Sequence, residues 1–177
     1  MIKIAFIGKM GSGKDEAGNF IRDNYIGDIH IVKFADPLYK LMEMTQKELN
    51  LPLEKDRLFL QVIGTDWGRK RDINIWINQM QSKINSLEKR VVDGIIVTDV
   101  RFQNEFDMLK SNGFKMIEIR RDMNSEEIKD RESGGSKTHI SENGFSVSMK
   151  ADFTVLNNSS LESFHMKIKS MVDLYYS

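Results

Sequence analysis

Gly8-Lys9-Met10-Gly11-Ser12-Gly13-Lys14 has the spacing G-x-x-x-x-G-K of a phosphate-binding loop. Phosphate oxygens need several donors aimed inward at once. A backbone bent into a nest at a helix N-terminus supplies those N–H groups, and glycines let it bend that tightly. Lys14 adds a charge for the β- and γ-phosphates. The flanks suit the motif: Ile2–Ile7 is apolar except for Lys3, as a buried parallel strand is, and Ala17, Phe20 and Ile21 recur at helical spacing. An ordinary glycine-rich strand-to-helix turn has no need of the lysine. The next residue departs from the pattern. Where Ser or Thr usually ligates Mg²⁺, this chain has Asp15. Its carboxylate suits the helix dipole but adds negative charge beside a triphosphate. It could hold Mg²⁺ directly or through water, or pair with a nearby Lys or Arg, and the residues alone leave this open.

The rest of the chemistry should gather around this loop. In an open parallel sheet, ligands bind beyond the carboxyl ends of the strands. The expected strand ends carry Phe34-Ala35-Asp36, Asp99 followed by Arg101, Arg120-Arg121, and Asn157-Asn158. Acids and arginines converging on a phosphate loop are what phosphoryl transfer needs, because its transition state spreads charge over equatorial oxygens. Asp99 stands where a Walker-B-type acid would hold Mg²⁺. Arg69 and Arg101 could each clamp a phosphate bidentately. Arg120, Arg121 and Arg131 flank or occupy a polar segment, Arg120 to Glu142, whose length and irregularity suggest a lid. Trp67 and Trp76 read as packing residues, with Trp67, beside Gly68-Arg69, also placed to border a base pocket. His139 has no His or Cys companion at ligand spacing, which argues against zinc.

The elements that must position these groups alternate between strand and helix patterns, as in an α/β domain with a parallel sheet. Strands are expected at Ile2–Ile7, Ile29–Phe34, Ile95–Asp99, Lys115–Ile119 and Phe153–Leu156. Asp36-Pro37 looks like an N-cap with proline at the first helical position. Glu54 to Ile63 reads as a helix stopped by Gly64. Ile73, Ile77, Met80, Ile84 and Leu87 mark a long amphipathic helix. Ser159 and Glu162 have capping-box spacing before the apolar stripe Leu161, Phe164, Ile168, Met171, Val172 and Tyr175.

Composition sets the bounds. The 177 residues are enough for one domain with a real core. Lys and Arg number 26 against 26 Asp and Glu, so nothing argues for a nucleic-acid backbone or an acidic membrane surface as partner. The absence of cysteine excludes a disulfide scaffold and Cys-ligated metal, and is compatible with the cytoplasm. No apolar run is long enough to cross a bilayer, and the N-terminus enters a core strand instead of a signal peptide.

Several blocks occur in order: Gly8–Asp15, Lys33-Phe34-Ala35-Asp36-Pro37-Leu38, Gly64-Thr65-Asp66-Trp67-Gly68-Arg69, Thr98-Asp99-Val100-Arg101-Phe102, His139-Ile140-Ser141-Glu142, and Asp152 to Asn157. Together they resemble the bacteriophage-type deoxynucleoside monophosphate kinases over nearly the whole chain. That resemblance implies one P-loop NTPase domain over residues 1–177: a five-stranded parallel sheet flanked by helices, an NMP-binding region at about 36–90 and a lid at about 120–142. It implies transfer of the γ-phosphate of ATP to a deoxynucleoside monophosphate, with Mg²⁺, in nucleotide supply for DNA synthesis. It also brings a homodimer and a host cytoplasm. Gly8 through Asp15, with Asn157 and Asn158, would bind ATP. Phe34, Asp36, Trp67, Arg69, Asp99 and Arg101 would bind the acceptor. Lys14, Arg69, Arg101, Arg121 and Arg131 would act in transfer, and Asp15 and Asp99 would serve the metal. Two other readings share the loop: a different small-molecule kinase resembling dephospho-CoA kinase, and a nucleotide-dependent switch. The first does not account for the F-A-D-P-L and G-T-D-W-G-R blocks. A GTPase switch usually carries an N-K-x-D segment, which this chain lacks.

Overall fold

The apolar run Ile2–Ile7 is the central strand, β1, of a parallel sheet in the computed structural model, which describes residues 1–122 and 149–176. The other strands are β2 (Ile29–Val32), β3 (Gly94–Val97), β4 (Lys115–Arg120) and β5 (Phe153–Leu156). Their order is β2-β3-β1-β4-β5, all parallel. The helices are α1 (Lys14–Asn24), α2 (Asp36–Glu48), α3 (Arg57–Gln61), α4 (Ile75–Lys89), α5 (Gln103–Ser111) and α6 (Leu161–Tyr176), with a π-helical stretch at Val62–Arg69 after α3. The expected α/β architecture is therefore the one the chain adopts. No helix among the described residues is long and apolar enough to cross a membrane.

Alternation along the strands sends successive side chains to opposite faces, and each face has its own core. Ala5, Ile7, Val32, Ile95, Val97 and Met116 meet Leu38, Trp76, Met80, Ile84, Phe106 and Leu109. Ile4, Phe6, Ile96, Ile117 and Val155 meet Ala17, Ile21, Phe164, Ile168 and Val172. Phe6, Ile4, Ile21 and Phe164 are wholly buried. Full burial of a side chain of this size contributes about 1.5–3 kcal/mol. A sheet covered on both sides presents only its strand ends to ligands, and the turn after central β1 is the phosphate loop.

Several boundaries differ from the sequence expectation. Asp36 does not cap α2. It is the helix's first residue, with Ala35 as N-cap, and its carboxylate reaches back to accept the Lys33 N–H at 2.8 Å. The region after Pro52 does not become helical at Glu54. Asp56 caps α3 by accepting the Phe59 N–H at 2.9 Å. Nor does Gly64 stop the helix, which continues as a π-helix to Arg69. Gly64 and Gly68 are there for packing: a Cβ on Gly64 would lie 3.0 Å from Leu38, and one on Gly68 2.8 Å from Trp76. Ile73 is exposed and outside α4, and Trp76 takes the buried position, donating its indole N–H to the Gly64 carbonyl at 2.8 Å. At α6 the capping hydroxyl is Ser160, which accepts from the Ser163 N–H, not Ser159. Most of the expected lid, with Arg131 and His139, lies outside the described residues.

One contact sets how closely α1 approaches the sheet. A Cβ on Gly18 would stand 2.7 Å from the Thr98 methyl carbon, just past β3. This is too close for any side chain unless Thr98 or the helix shifts. Gly18→Val is expected to destabilise the fold by about 2 kcal/mol or more through overpacking, measured by urea unfolding. A variant as stable as its parent would show that α1 moves off β3 without cost.

Candidate active site

The phosphate loop closes around its own lysine. Lys14 donates from Nζ to the Gly8 and Lys9 carbonyls, both at 2.8 Å. Burial, and then the Arg101 charge, push its ammonium down to about 8, against Asp15 and Asp99. The loop is backed by the β5–α6 turn, where Asn157 donates its side-chain N–H to the Ser12 carbonyl at 2.8 Å. Gly13 makes that approach possible. It has φ +108°, and a Cβ there would lie 2.6 Å from the Asn157 amide nitrogen. Ser12 is buried, and its hydroxyl has no hydrogen-bond partner among the described residues. Asn158 is turned away, exchanging hydrogen bonds with Asp122.

Beyond the loop lies a cleft of about 320 Å³. That is within the range of small-molecule sites and enough for one mononucleotide. Lys14, Lys33, Phe34, Arg69, Asp99 and Arg101 line it, with Asp15 and Thr98 at its edge toward α1. Tyr39, Gln61, Thr65 and Trp76 extend the wall. Three expected residues are elsewhere. Trp67 is 44% exposed and absent from the cleft, stacking with Arg71 at 4.8 Å, because the π-helical turn sends it outward while Trp76 comes in from α4. Asp36 is exposed and spends its carboxylate on the Lys33 backbone. Arg121 is exposed beyond the end of β4.

Two acids hold the cleft's floor. Asp99 accepts the Phe34 and Ala35 N–H groups, one on each oxygen, at 2.9 Å. This ties the end of β3 to the turn after β2. Burial, and then the Glu105 charge, push Asp99 up to about 7, although both backbone donors and Arg101 oppose the rise. Glu105 is 1% exposed. Its Oε2 accepts the Arg101 and Phe102 N–H groups at 2.7 and 3.0 Å, and its Oε1 accepts from Arg69 Nη2. Burial still raises its carboxyl above the usual range. Arg69 also stacks on the Phe102 ring at 3.8 Å, and its buried Nη1 has no hydrogen-bond partner among the described residues. A buried donor left unmatched carries a desolvation penalty that an anion in the cleft would relieve. Sequence reasoning passed over Glu105. The one signal was its place three residues after the helix-starting Phe102, where an acid can reach back to the N-cap N–H.

Asp15 pairs with a lysine, one of the partners its position left open. Its Oδ1 receives Lys33 Nζ at 2.6 Å and the Thr98 hydroxyl at 2.7 Å. Burial alone would raise it, but Lys33, Thr98 and Lys14 outweigh burial and hold the carboxyl below its usual range. Among the described residues no three His, Cys, Asp or Glu side chains cluster as a metal cage.

A model of the family described as deoxynucleotide monophosphate kinase matches residues 54–168. A protein of Acanthamoeba polyphaga mimivirus, provisionally named a deoxynucleotide monophosphate kinase, is 29% identical over 199 residues, covering 98% of this chain and 97% of that protein. An uncharacterized protein of Ictalurid herpesvirus 1 (strain Auburn), ORF77, is 38% identical over 122 residues, 67% of this chain, and the chain spans about half (50%) of its length. Among solved structures, dephospho-CoA kinase from Campylobacter jejuni superposes with a TM-score of 0.57 at 17% identity, covering 99% of this chain and 98% of that one. A sugar kinase from Janibacter sp. HTCC2649 gives 0.56 at 13% identity, covering 98% and 95%. At such identities the likeness shows the fold, that of the P-loop kinases.

Removing one member of a buried ion pair strands the other. Glu105→Ala is expected to destabilise the protein by about 3–5 kcal/mol, with Glu105→Gln between it and the parent, both measured by urea unfolding. A loss below about 1 kcal/mol would mean that the pair behaves as a solvated one.

Proposed function

The chain belongs to the deoxynucleotide monophosphate kinase family, and we propose that it transfers the γ-phosphate of ATP to a deoxynucleoside monophosphate, giving the diphosphate and ADP, in nucleotide supply for DNA synthesis. The observation that carries this reading is a single cleft bringing Lys14 of the phosphate loop together with Arg69 and Arg101. In it a donor polyphosphate on the loop and an acceptor phosphate on the arginines would face each other. Direct in-line transfer needs both nucleotides bound at once and no covalent enzyme intermediate.

Each residue then has a part. Lys14 exchanges its bonds to the Gly8 and Lys9 carbonyls for the β- and γ-phosphate oxygens. Arg69 supplies the acceptor phosphate with Nη1, the donor that has no partner among the described residues. Arg101, anchored through its backbone N–H to Glu105, balances charge that builds on the transferred group. Phe34, Leu38, Tyr39 and Trp76 give the acceptor's base and sugar an apolar wall. Asn157 supports the loop from behind, and Arg121, exposed beyond the end of β4, is given a part in transfer by resemblance alone. Arg131 is assigned the same role by resemblance alone.

Kinases of this fold work with Mg²⁺, and the donor set fits it. Mg²⁺ takes oxygen ligands, keeps several waters and needs only one or two carboxylates beside the substrate phosphates. Lys33 and Thr98 both bind Asp15 Oδ1, which leaves Oδ2 for a further ligand, and Asp99 stands in the same cleft. Asp15 and Asp99 would hold the ion, and when bound it neutralises charge on the β- and γ-phosphates.

The test is a coupled ADP-release assay with ATP, Mg²⁺ and each deoxynucleoside and ribonucleoside monophosphate in turn. Turnover with one or more, lost in Lys14→Ala, is the expected result. Arg101→Ala should lower turnover by about 10³-fold or more while ATP binding persists. Turnover near that of the parent in Arg101→Ala would remove its clamping role. A protein that binds ATP yet phosphorylates no monophosphate would overturn the proposal.

A further inference from the structure

The reaction as assigned gives no part to Lys33. It leaves the end of β2, where the turn is pinned by Asp99, and reaches across the cleft edge to Asp15 on the first turn of α1, Nζ to Oδ1 2.6 Å. The Asp15 side chain is 67% exposed and that of Lys33 35%. A pair this solvated contributes little to folding stability. Its position says more than its strength. Asp15 follows the phosphate-loop lysine, and the first-turn N–H groups of α1 are those that face a bound phosphate. An unpaired carboxylate there opposes a polyphosphate at short range. The charged groups that act on the pair among the described residues fit this account. Lys14 pulls on Asp15 from the phosphate loop, Asp99 and Asp36 pull on Lys33 from the β3 and α2 sides, and Thr98 gives its hydroxyl to the same oxygen of Asp15.

We infer that Lys33 is a positioning residue for the donor nucleotide, neutralising Asp15 so that the α1 N-terminus accepts a polyphosphate, and that it acts through Asp15 without binding the phosphate itself. A hydroxyl at position 15 would need no such partner. The carboxylate does, and the end of β2 provides one. Mg²⁺ on Asp15 would share the neutralising role, so the dependence on Lys33 is largest without metal. The inference rests on reading the phosphate loop as the donor site.

The test is calorimetric titration of ADP into the whole chain in EDTA at low salt, for the parent, Lys33→Met, Asp15→Asn and the double variant. Lys33→Met should weaken ADP binding about tenfold or more, and Lys33→Arg should restore it. Asp15→Asn should bind at least as tightly as the parent. The double variant should match Asp15→Asn within about threefold, since with no carboxylate to neutralise the lysine has no task. Lys33→Met binding as the parent does would overturn the inference. So would a double variant as weak as Lys33→Met, which would put Lys33 on the phosphate. Failure of the parent itself to bind ADP would instead remove the donor-site reading. Thermal unfolding of each variant separates these outcomes from loss of fold, and Lys33→Gln serves if Lys33→Met is unstable.

Discussion

The cleft depends on one buried carboxylate. Glu105 gathers the Arg101 and Phe102 N–H groups on one oxygen and the Arg69 guanidinium on the other. Those groups come from the π-helical stretch and from the turn between β3 and α5, and nothing in chain order brings them together. An acid at 1% exposure is costly unless its acceptor sites are filled. The penalty is met only in the arrangement that also stacks Arg69 on Phe102 and aims the Arg101 backbone into α5. The site's geometry is thus enforced by the cost of leaving Glu105 unsatisfied. Its charge also raises Asp99, whose two backbone bonds fix the opposite wall.

Much of this was legible in the sequence where the signal is local. The phosphate loop, the five strands and most of the buried stripes of α4 and α6 follow from spacing and periodicity, because a strand or helix shows its buried face in a few residues; Ile73 and Leu161, expected in those stripes, are exposed at or just before the helix starts. What depends on partners distant in the chain was not. Asp15 and Lys33 are 18 positions apart, and no spacing rule distinguishes a lysine that pairs across a cleft from one that faces water. Glu105 has the composition of a helix-surface acid. Trp67 and Trp76 are alike as residues, and only the hand of the π-helical turn decides which enters the cleft. Boundaries moved for a related reason. Gly64 and Gly68 look like breakers in a one-dimensional reading, yet they are small because Leu38 and Trp76 press against them. Ser160 displaced Ser159 by one position, a choice between two equivalent hydroxyls.

Two independent lines reach the same chemistry. The family match spans residues 54–168 and so leaves out the phosphate loop, which stands on its own spacing and geometry. The match covers Arg69, Asp99, Arg101 and Glu105, the side of the cleft proposed for the acceptor. The fold joins the halves, since β1 carries the loop and neighbouring β3 leads to Asp99 and Arg101. In this order the phosphate loop and Arg101 follow adjacent strands of one sheet, and Arg69 joins them from the π-helical stretch.

The resting state of Lys14 shows how such a site is kept ready. Its ammonium is satisfied by two carbonyls of the loop it serves, which keeps the nest shaped and costs little to exchange for phosphate oxygens of equal or greater acceptor strength. Arg69 is held differently, with one nitrogen committed to Glu105 and another buried and, among the described residues, unmatched. On the proposed reading, the donor side would be preorganised by bonds that the ligand replaces, and the acceptor side by a bond that the ligand completes. Binding at the first would be close to an exchange. At the second it would relieve a standing penalty, so the acceptor phosphate would gain most from the protein's own geometry.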